Sequence, residues 1–312
     1  MKHIPVIGQI PSAEVQQWIQ ALTDRVPEYQ FCAPDELPEY EKASVRFAVV
    51  ANPSPQQLAE FPSLEWVQSV WAGVEKLVDT FAGSAIEVTR LIDPRLSATM
   101  AESALLWCLY LHRDMHLYAA QQQSAIWQAH PYRPTEHCTV GILGLGELGS
   151  ACAKRLSEQG FQIFGWSRTA KPDSEFRHTF GPAGLSDVLA ESDILLNLLP
   201  LTSATRDLLT LAEWRQCQSG MKVINFGRGP TVNESDLITA LESGLLSYAV
   251  LDVFKQEPLP AEHPFWRHEK IQVLPHISAP TSIDSAAEIT ARNLRKKDAG
   301  AAVPIVNFEQ GY

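Results

Sequence analysis

From residue 138 onward the chain alternates short apolar runs with loops and helix-like stretches. The runs are CTVGIL (138–143), FQIFGW (161–166), DILLNLL (193–199), KVINF (222–226), YAVLDVF (248–254) and IQVLP (271–275). They are nearly continuous in Val, Ile, Leu and Phe rather than alternating with polar residues, the pattern of strands covered on both faces. Between them, GSACAKRLSEQG ends on a glycine, and NESDLITALESG opens with Asn233 as N-cap and closes at Gly244. Six strands joined by helices predict a doubly wound parallel sheet. The first hundred residues repeat the alternation more loosely, with strand-like IPVIG, VRFAVVA, EWVQSV and IEVTRL and helical SAEVQQWIQAL and PQQLAEF. They predict a second, smaller α/β domain.

Between the halves lies SATMAESALLWCLYLHRDMHLYAAQQQ (97–123), one long helical stretch whose apolar residues wrap around more than one face. Such a helix is buried on several sides, either as a central core helix or as a connector that also packs on a second subunit. After the last strand, SIDSAAEITARNLRKKDAG (282–300) is a helix without a partner strand in the large sheet, and is expected to return to the first domain. The expected division is therefore residues 97–280 as one domain and 1–96 plus 281–312 as the other, which suits a chain of 312 residues.

Chemistry enters at GILGLGELGS, where Gly144, Gly146 and Gly149 follow a strand and open a helix. In that context the first glycine permits a tight turn, the second lets backbone approach a pyrophosphate, and the third lets helix and strand pack closely. About twenty residues further on, such folds usually carry an acidic residue that reads the adenosine ribose of NAD. Here the strand end reads GWSRTAK, with Trp166, Ser167 and Arg168 in that place and Lys171 close behind. A hydroxyl donor and a guanidinium suit a 2′-phosphate, so NADP(H) is the expected cofactor; the plainer alternative is a solvated basic loop.

Three polar residues follow the last three strands: Arg228 between glycines in FGRGP, Glu257 in KQEPLP and His276 in PHISAP. Taken alone each is an ordinary loop residue. Together, on the side where such sheets bind ligands, they suit ketone reduction: His276 as proton donor, Glu257 favouring its protonated form, Arg228 as anion clamp. The glycines beside Arg228 are expected to let backbone and ligand approach closely.

Composition narrows the remaining classes. A net charge of −11 argues against general binding to nucleic acid or anionic lipid, while leaving room for a small anionic substrate at a basic spot. The longest apolar run, ALLWCLYL, is too short to span a bilayer, and MKHIPVIGQIPSAEVQQ lacks the marks of a secretory signal, so a cytoplasmic protein is expected. Five scattered cysteines read as reduced thiols. His112 and His116 have helical spacing but no further ligand or adjacent Glu, so no metal site is expected.

These motifs resemble the D-isomer-specific 2-hydroxyacid dehydrogenases. GILGLGELGS, LLPLTSATRDLL, VINFGRGPTVNESDLITALESG, AVLDVFKQEPLP and VLPHISAP occur in the family's order over nearly the whole chain. The resemblance implies two Rossmann-like domains, a doubly wound parallel-sheet NADP-binding domain and a smaller flavodoxin-like substrate domain. It implies that Arg228, Glu257 and His276 are catalytic, and that the loop VWAGVEKL binds the substrate carboxylate through Trp71 and the amides of Ala72, Gly73 and Val74. It carries cofactor contacts onto Gly146, Glu147, Leu148, Ser167, Arg168, Leu199, Pro200 and Asp252, the last as partner of the nicotinamide carboxamide.

GWSRT, LNLLP and the terminal GY are similar to the bacterial glyoxylate/hydroxypyruvate reductase A group, which uses NADPH. That similarity implies a homodimer reducing glyoxylate and hydroxypyruvate. Departures at Glu75, where Asp is usual, at Phe226 and in SAPTSIDSA bear on substrate choice more than on reaction type. Two other readings stand beside this one: a dehydrogenase of the same family acting on another 2-hydroxy acid, and a dinucleotide-sensing regulatory protein.

Overall fold

The structure is a computed structural model that describes residues 2–171 and 174–311. The chain divides into two compact units, Met1–Leu96 with Thr281–Tyr312, and Ser97–Pro280.

The first unit holds strands β1 (Lys2–Gly8), β2 (Tyr29–Cys32), β3 (Phe47–Ala51), β4 (Trp66–Ser69) and β5 (Glu87–Thr89) in a parallel sheet of order β2-β1-β3-β4-β5, the flavodoxin-like order. β3, FAVVA, is buried throughout because both faces are covered. On one face Ile4, Val6 and Val49 meet Trp18 and Leu22 of helix Ser12–Thr23 and Ala287, Ala291 and Leu294 of helix Ile283–Asp298. On the other, Ile7, Val50 and Val67 meet Leu77 and Phe81 of helix Glu75–Phe81. Polar links also join the C-terminal helix to the sheet: Asn293 Nδ2 donates to the buried Gln68 Oε1 at 2.9 Å, and Asp298 accepts from Lys2 of β1 and from the Tyr29 hydroxyl of β2.

The second unit holds β6 (Thr139–Leu143), β7 (Gln162–Ser167), β8 (Arg177–Phe180), β9 (Ile194–Asn197), β10 (Met221–Asn225), β11 (Leu246–Leu251) and β12 (Ile271–Val273). All pair in parallel, in the order β12-β11-β10-β9-β6-β7-β8. This is the doubly wound order, and the direction of winding reverses between β6 and β9, where such sheets open a ligand crevice. The sheet has seven strands where six are expected. β8 reads RHTF, an edge strand with a single large apolar residue, and so lacks the run by which buried strands are recognised.

Helices Pro94–His112 and Glu147–Ser157 cover one face of this sheet, and Gly181–Glu191 and Glu234–Glu242 the other. The expected single helix over 97–123 is in fact two, ending at His112 and resuming at Met115. Lys222 supplies the reason: its ammonium donates to the Leu111 carbonyl (2.8 Å) and to Asp114 Oδ1 (2.7 Å), while Asp114 adopts a left-handed conformation, φ 53°. Its burial is also less complete than the sequence suggests. Leu106, Met115 and Leu117 of these helices are exposed, as are Ile126 and Trp127 just beyond them, Trp127 fully. His112 and His116 pack on the rings of Phe161 and Tyr248. Among the described residues no helix is long and apolar enough to cross a membrane.

Candidate active site

The glycine turn after β6 uses its three glycines for three different reasons. Gly144 has φ +97°, a left-handed conformation. A Cβ on Gly149 would lie 1.9 Å from the Gly144 carbonyl oxygen, so helix and turn close only without one. A Cβ on Gly146 would meet nothing within 4 Å: that glycine faces open space, at the N-cap of Glu147–Ser157, where no side chain caps the helix. Bare amides of Glu147 and Leu148, a helix dipole and room for close approach fit a pyrophosphate. Leu198 and Leu199 border the turn, the Leu199 side chain lying 3.3 Å from where a Gly144 Cβ would be, and Pro200 follows them in sequence.

At the end of β7 the GWSRTAK residues separate. The Trp166 ring belongs to the core, with Nε1 donating to the Gly181 carbonyl at 2.7 Å, which leaves only its backbone for a ligand. That backbone is tied to the glycine turn, since Trp166 O accepts from Gly144 N at 2.9 Å. Ser167 is buried, Arg168 is exposed, and Lys171 Nζ donates to the Leu145 carbonyl inside the turn. The basic residues thus stand next to the glycine loop.

The ends of β10, β11 and β12 bring Arg228, Glu257 and His276 together. Glu257 is pinned at both oxygens: Oε1 accepts from Phe254 N at 2.9 Å and Oε2 from His276 Nδ1 at 2.7 Å. The carboxylate side of this pair fixes the tautomer, so Nδ1 carries a hydrogen and Nε2 is the atom left for chemistry. The hydrogen bond to Glu257 raises the His276 pKa above its ordinary value, outweighing the opposite effect of burial. For Glu257, burial alone would raise the carboxyl, but the bonds from His276 and from Phe254 N–H hold it below the usual range, with Arg228 adding to them.

His276 itself has φ +54°, unusual for a residue with a side chain. Asp252, almost fully buried, holds the chain there: its two oxygens accept from Ile277 N (2.7 Å) and Ser278 N (2.9 Å). Both Asp252 oxygens are therefore occupied by the loop that presents His276, and a carboxamide could use only their remaining lone pairs.

Arg228 depends on backbone contact. A Cβ on Gly229 would lie 2.0 Å from the Phe254 carbonyl carbon, and one on Gly227 2.6 Å from Leu199 O. The glycines beside Arg228 thus serve the approach of backbone to backbone, where the sequence suggested approach of a ligand. A buried polar network supports the same loop: Asn197 Nδ2 donates to Asn225 Oδ1 (3.0 Å) and Thr231 Oγ1 (2.7 Å), and Thr231 Oγ1 donates to Arg228 O (2.6 Å). Sequence reasoning missed Asn197, Asn225 and Thr231. An Asn inside an otherwise apolar strand, twice, was the available signal, because buried amides are kept only where they are hydrogen-bonded.

In the first unit, Trp71 follows β4 and is held by its own backbone: N donates to Ser69 Oγ at 3.1 Å, and O accepts from Leu91 N at 3.0 Å. Ala72, Gly73 and Val74 form the turn into helix Glu75–Phe81. Among the described residues, no acceptor takes the amide hydrogens of these three.

The family model for the D-isomer specific 2-hydroxyacid dehydrogenase NAD-binding domain matches residues 105–278, more than half of the chain. The chain belongs to this family. A glyoxylate/hydroxypyruvate reductase A of Yersinia enterocolitica is 33% identical, over 98% of this chain and 99% of the relative. Among solved structures, a D-isomer specific 2-hydroxyacid dehydrogenase of Xanthobacter autotrophicus Py2, in complex with NADPH and MES, superposes with TM-score 0.93 at 35% identity, covering both chains completely. An NADPH-dependent glyoxylate/hydroxypyruvate reductase of Sinorhizobium meliloti, with NADP and sulfate, superposes with TM-score 0.91 at 27% identity, again over both whole chains.

Proposed function

We propose that this protein is an NADPH-dependent reductase of small 2-oxo acids, converting glyoxylate to glycolate and hydroxypyruvate to D-glycerate. The observation that carries the reading is the 2.7 Å pairing of His276 with Glu257 beside Arg228, in a chain of this family. Gly144, Gly146 and Gly149 with the Glu147 and Leu148 amides would hold the pyrophosphate, Ser167, Arg168 and Lys171 the adenosine 2′-phosphate, and Leu199, Pro200 and Asp252 the nicotinamide half. When bound, the cofactor supplies a hydride.

The chain's own residues supply the rest. His276, charged with Glu257 as counter-ion, donates its Nε2 proton to the carbonyl oxygen, which becomes the hydroxyl of the product. Arg228 binds the carboxylate and draws electron density toward the carbonyl oxygen. The backbone amides of Ala72, Gly73 and Val74, beside Trp71, offer further donors to a carboxylate. We also assign a homodimer formed through the exposed Leu106, Met115, Leu117, Ile126 and Trp127, since a monomer rarely leaves so many large apolar side chains in one stretch uncovered. A cytoplasmic location goes with this reading.

The deciding experiment is NADPH oxidation followed with glyoxylate, hydroxypyruvate and a panel of longer 2-oxo acids. Turnover with the two short acids is expected. No turnover with any of them overturns the enzyme reading, and sedimentation as a monomer overturns the dimer.

A further inference from the structure

The Ser167 hydroxyl has two neighbours at 2.7 Å: the Thr169 carbonyl oxygen and Nε2 of His178, which lies on β8. A carbonyl can only accept, so the one hydroxyl hydrogen goes to Thr169 O. His178 Nε2 therefore carries a hydrogen and donates it to Ser167 Oγ, which leaves Nδ1 as the basic atom of a neutral ring.

The β7–β8 register places Gly165 opposite His178 and Ser167 opposite Phe180, so the Ser167 and His178 side chains share one face of the sheet. On that face Gly165 makes room for Leu145, whose side chain would stand 2.2 Å from any Cβ there, and Leu145 O receives Lys171 Nζ. Leu145, Lys171, Ser167 and His178 thus form a continuous strip from the glycine turn to the edge strand. No step of the reaction uses His178.

We propose that His178 is a positioning residue for the adenosine 2′-phosphate of NADPH: by donating to Ser167 Oγ it leaves the hydroxyl hydrogen to turn from Thr169 O to the phosphate, and it takes up one proton from solvent as that phosphate arrives. The inference rests on the reading that the 2′-phosphate lies at Ser167 and Arg168. Without a ligand, the charges around the ring do not favour the imidazolium. Lys171 faces it and, second to burial, holds its pKa below the ordinary value. Arg168 belongs to the same loop, Arg177 is tied to Glu191 by two hydrogen bonds, and Glu175 is exposed ahead of the strand. A phosphate dianion reverses that balance, and the proton is added at Nδ1, which moves the ring from neutral to cationic without breaking its bond to Ser167.

Calorimetric titration of the whole protein at pH 7.5, in two buffers of different ionisation enthalpy, reads the proton count directly. Wild type is expected to take up protons with NADPH and none with NADH. The sign is diagnostic, because a phosphate binding to cations by itself can only release protons at this pH. His178→Gln keeps a donor for Ser167 and removes the titration. It is expected to abolish the uptake, to flatten a rise in the NADPH Kd of about threefold to tenfold between pH 7 and 8, and to leave the NADH Kd unchanged as the check on folding.

Uptake that persists in His178→Gln, or that wild type shows equally with NADH or not at all, overturns the proposal. Arg168→Ala separates the two levels. If it weakens NADPH while His178→Gln changes neither uptake nor pH dependence, the role of His178 fails and the phosphate reading survives. If Arg168→Ala leaves NADPH binding intact, the phosphate reading itself fails.

Discussion

The two polar ends of the second unit are built differently. Around His276, the candidate side chains and the backbone beside them are held by close contacts: Glu257 is bonded at both oxygens, Asp252 clamps the next two amides, and Gly229 closes on Phe254. Around Arg168, the loop is exposed and held by side-chain hydrogen bonds from Ser167 and Lys171. Proton transfer needs an atom within a few tenths of an ångström of its target, whereas selecting a phosphate needs positive charge in roughly the right place. On the proposed function, closely contacted backbone stands where geometry decides and exposed cations where charge decides.

The sharpest way to break that comparison is His276→Ala. Turnover should fall about 10²- to 10⁴-fold, with NADPH affinity unchanged by fluorescence titration. A mild loss would remove His276 as the acid.

Glu257→Gln tests the electrostatics at the same end. With His276 as the proposed acid, turnover is expected to decline as pH rises through its raised pKa. Removing the carboxylate lowers that pKa, and the decline should move to lower pH, at about tenfold per unit beyond it. A profile of kcat against pH that does not move would show that Glu257 has no hold on the proton.

Arg168→Ala probes the other end and should raise KM for NADPH about tenfold to a hundredfold, the worth of one charge-assisted bond, while NADH is used as before. Equal losses with both cofactors would make the loop merely structural.

The smallest contrast lies within the glycine turn. Gly149→Ala should destabilise the protein by about 1–3 kcal/mol in urea melts, because its Cβ meets backbone at 1.9 Å, whereas Gly146→Ala should melt like wild type and bind cofactor less well. The reverse ranking would mean that the roles of the two glycines are exchanged.

Much of this was legible because buried parallel strands write themselves as apolar runs, and strand-end residues follow directly from finding the strands. The doubly wound sheet, the glycine turn and the three residues Arg228, Glu257 and His276 all came that way. What stayed hidden lacked such a signature. YQFC and RHTF are edge strands with short or mixed patterns, and missing the second also hid His178. The break at Asp114 depends on Lys222, 108 residues away in sequence, and no local pattern records it. The family resemblance points to Asp252, but its grip on Ile277 and Ser278 is a contact between the ends of neighbouring strands, visible only once they are side by side.

The contact of Gly229 with Phe254 has an evolutionary side. Because backbone meets backbone there, the loops carrying Arg228 and Glu257 cannot change length or path separately. A lineage exploring new substrates would find these two loops closed to single insertions. Its innovations should collect elsewhere, at side chains such as Glu75 and Phe226, and its record of change should show two distant stretches of sequence that vary together or not at all.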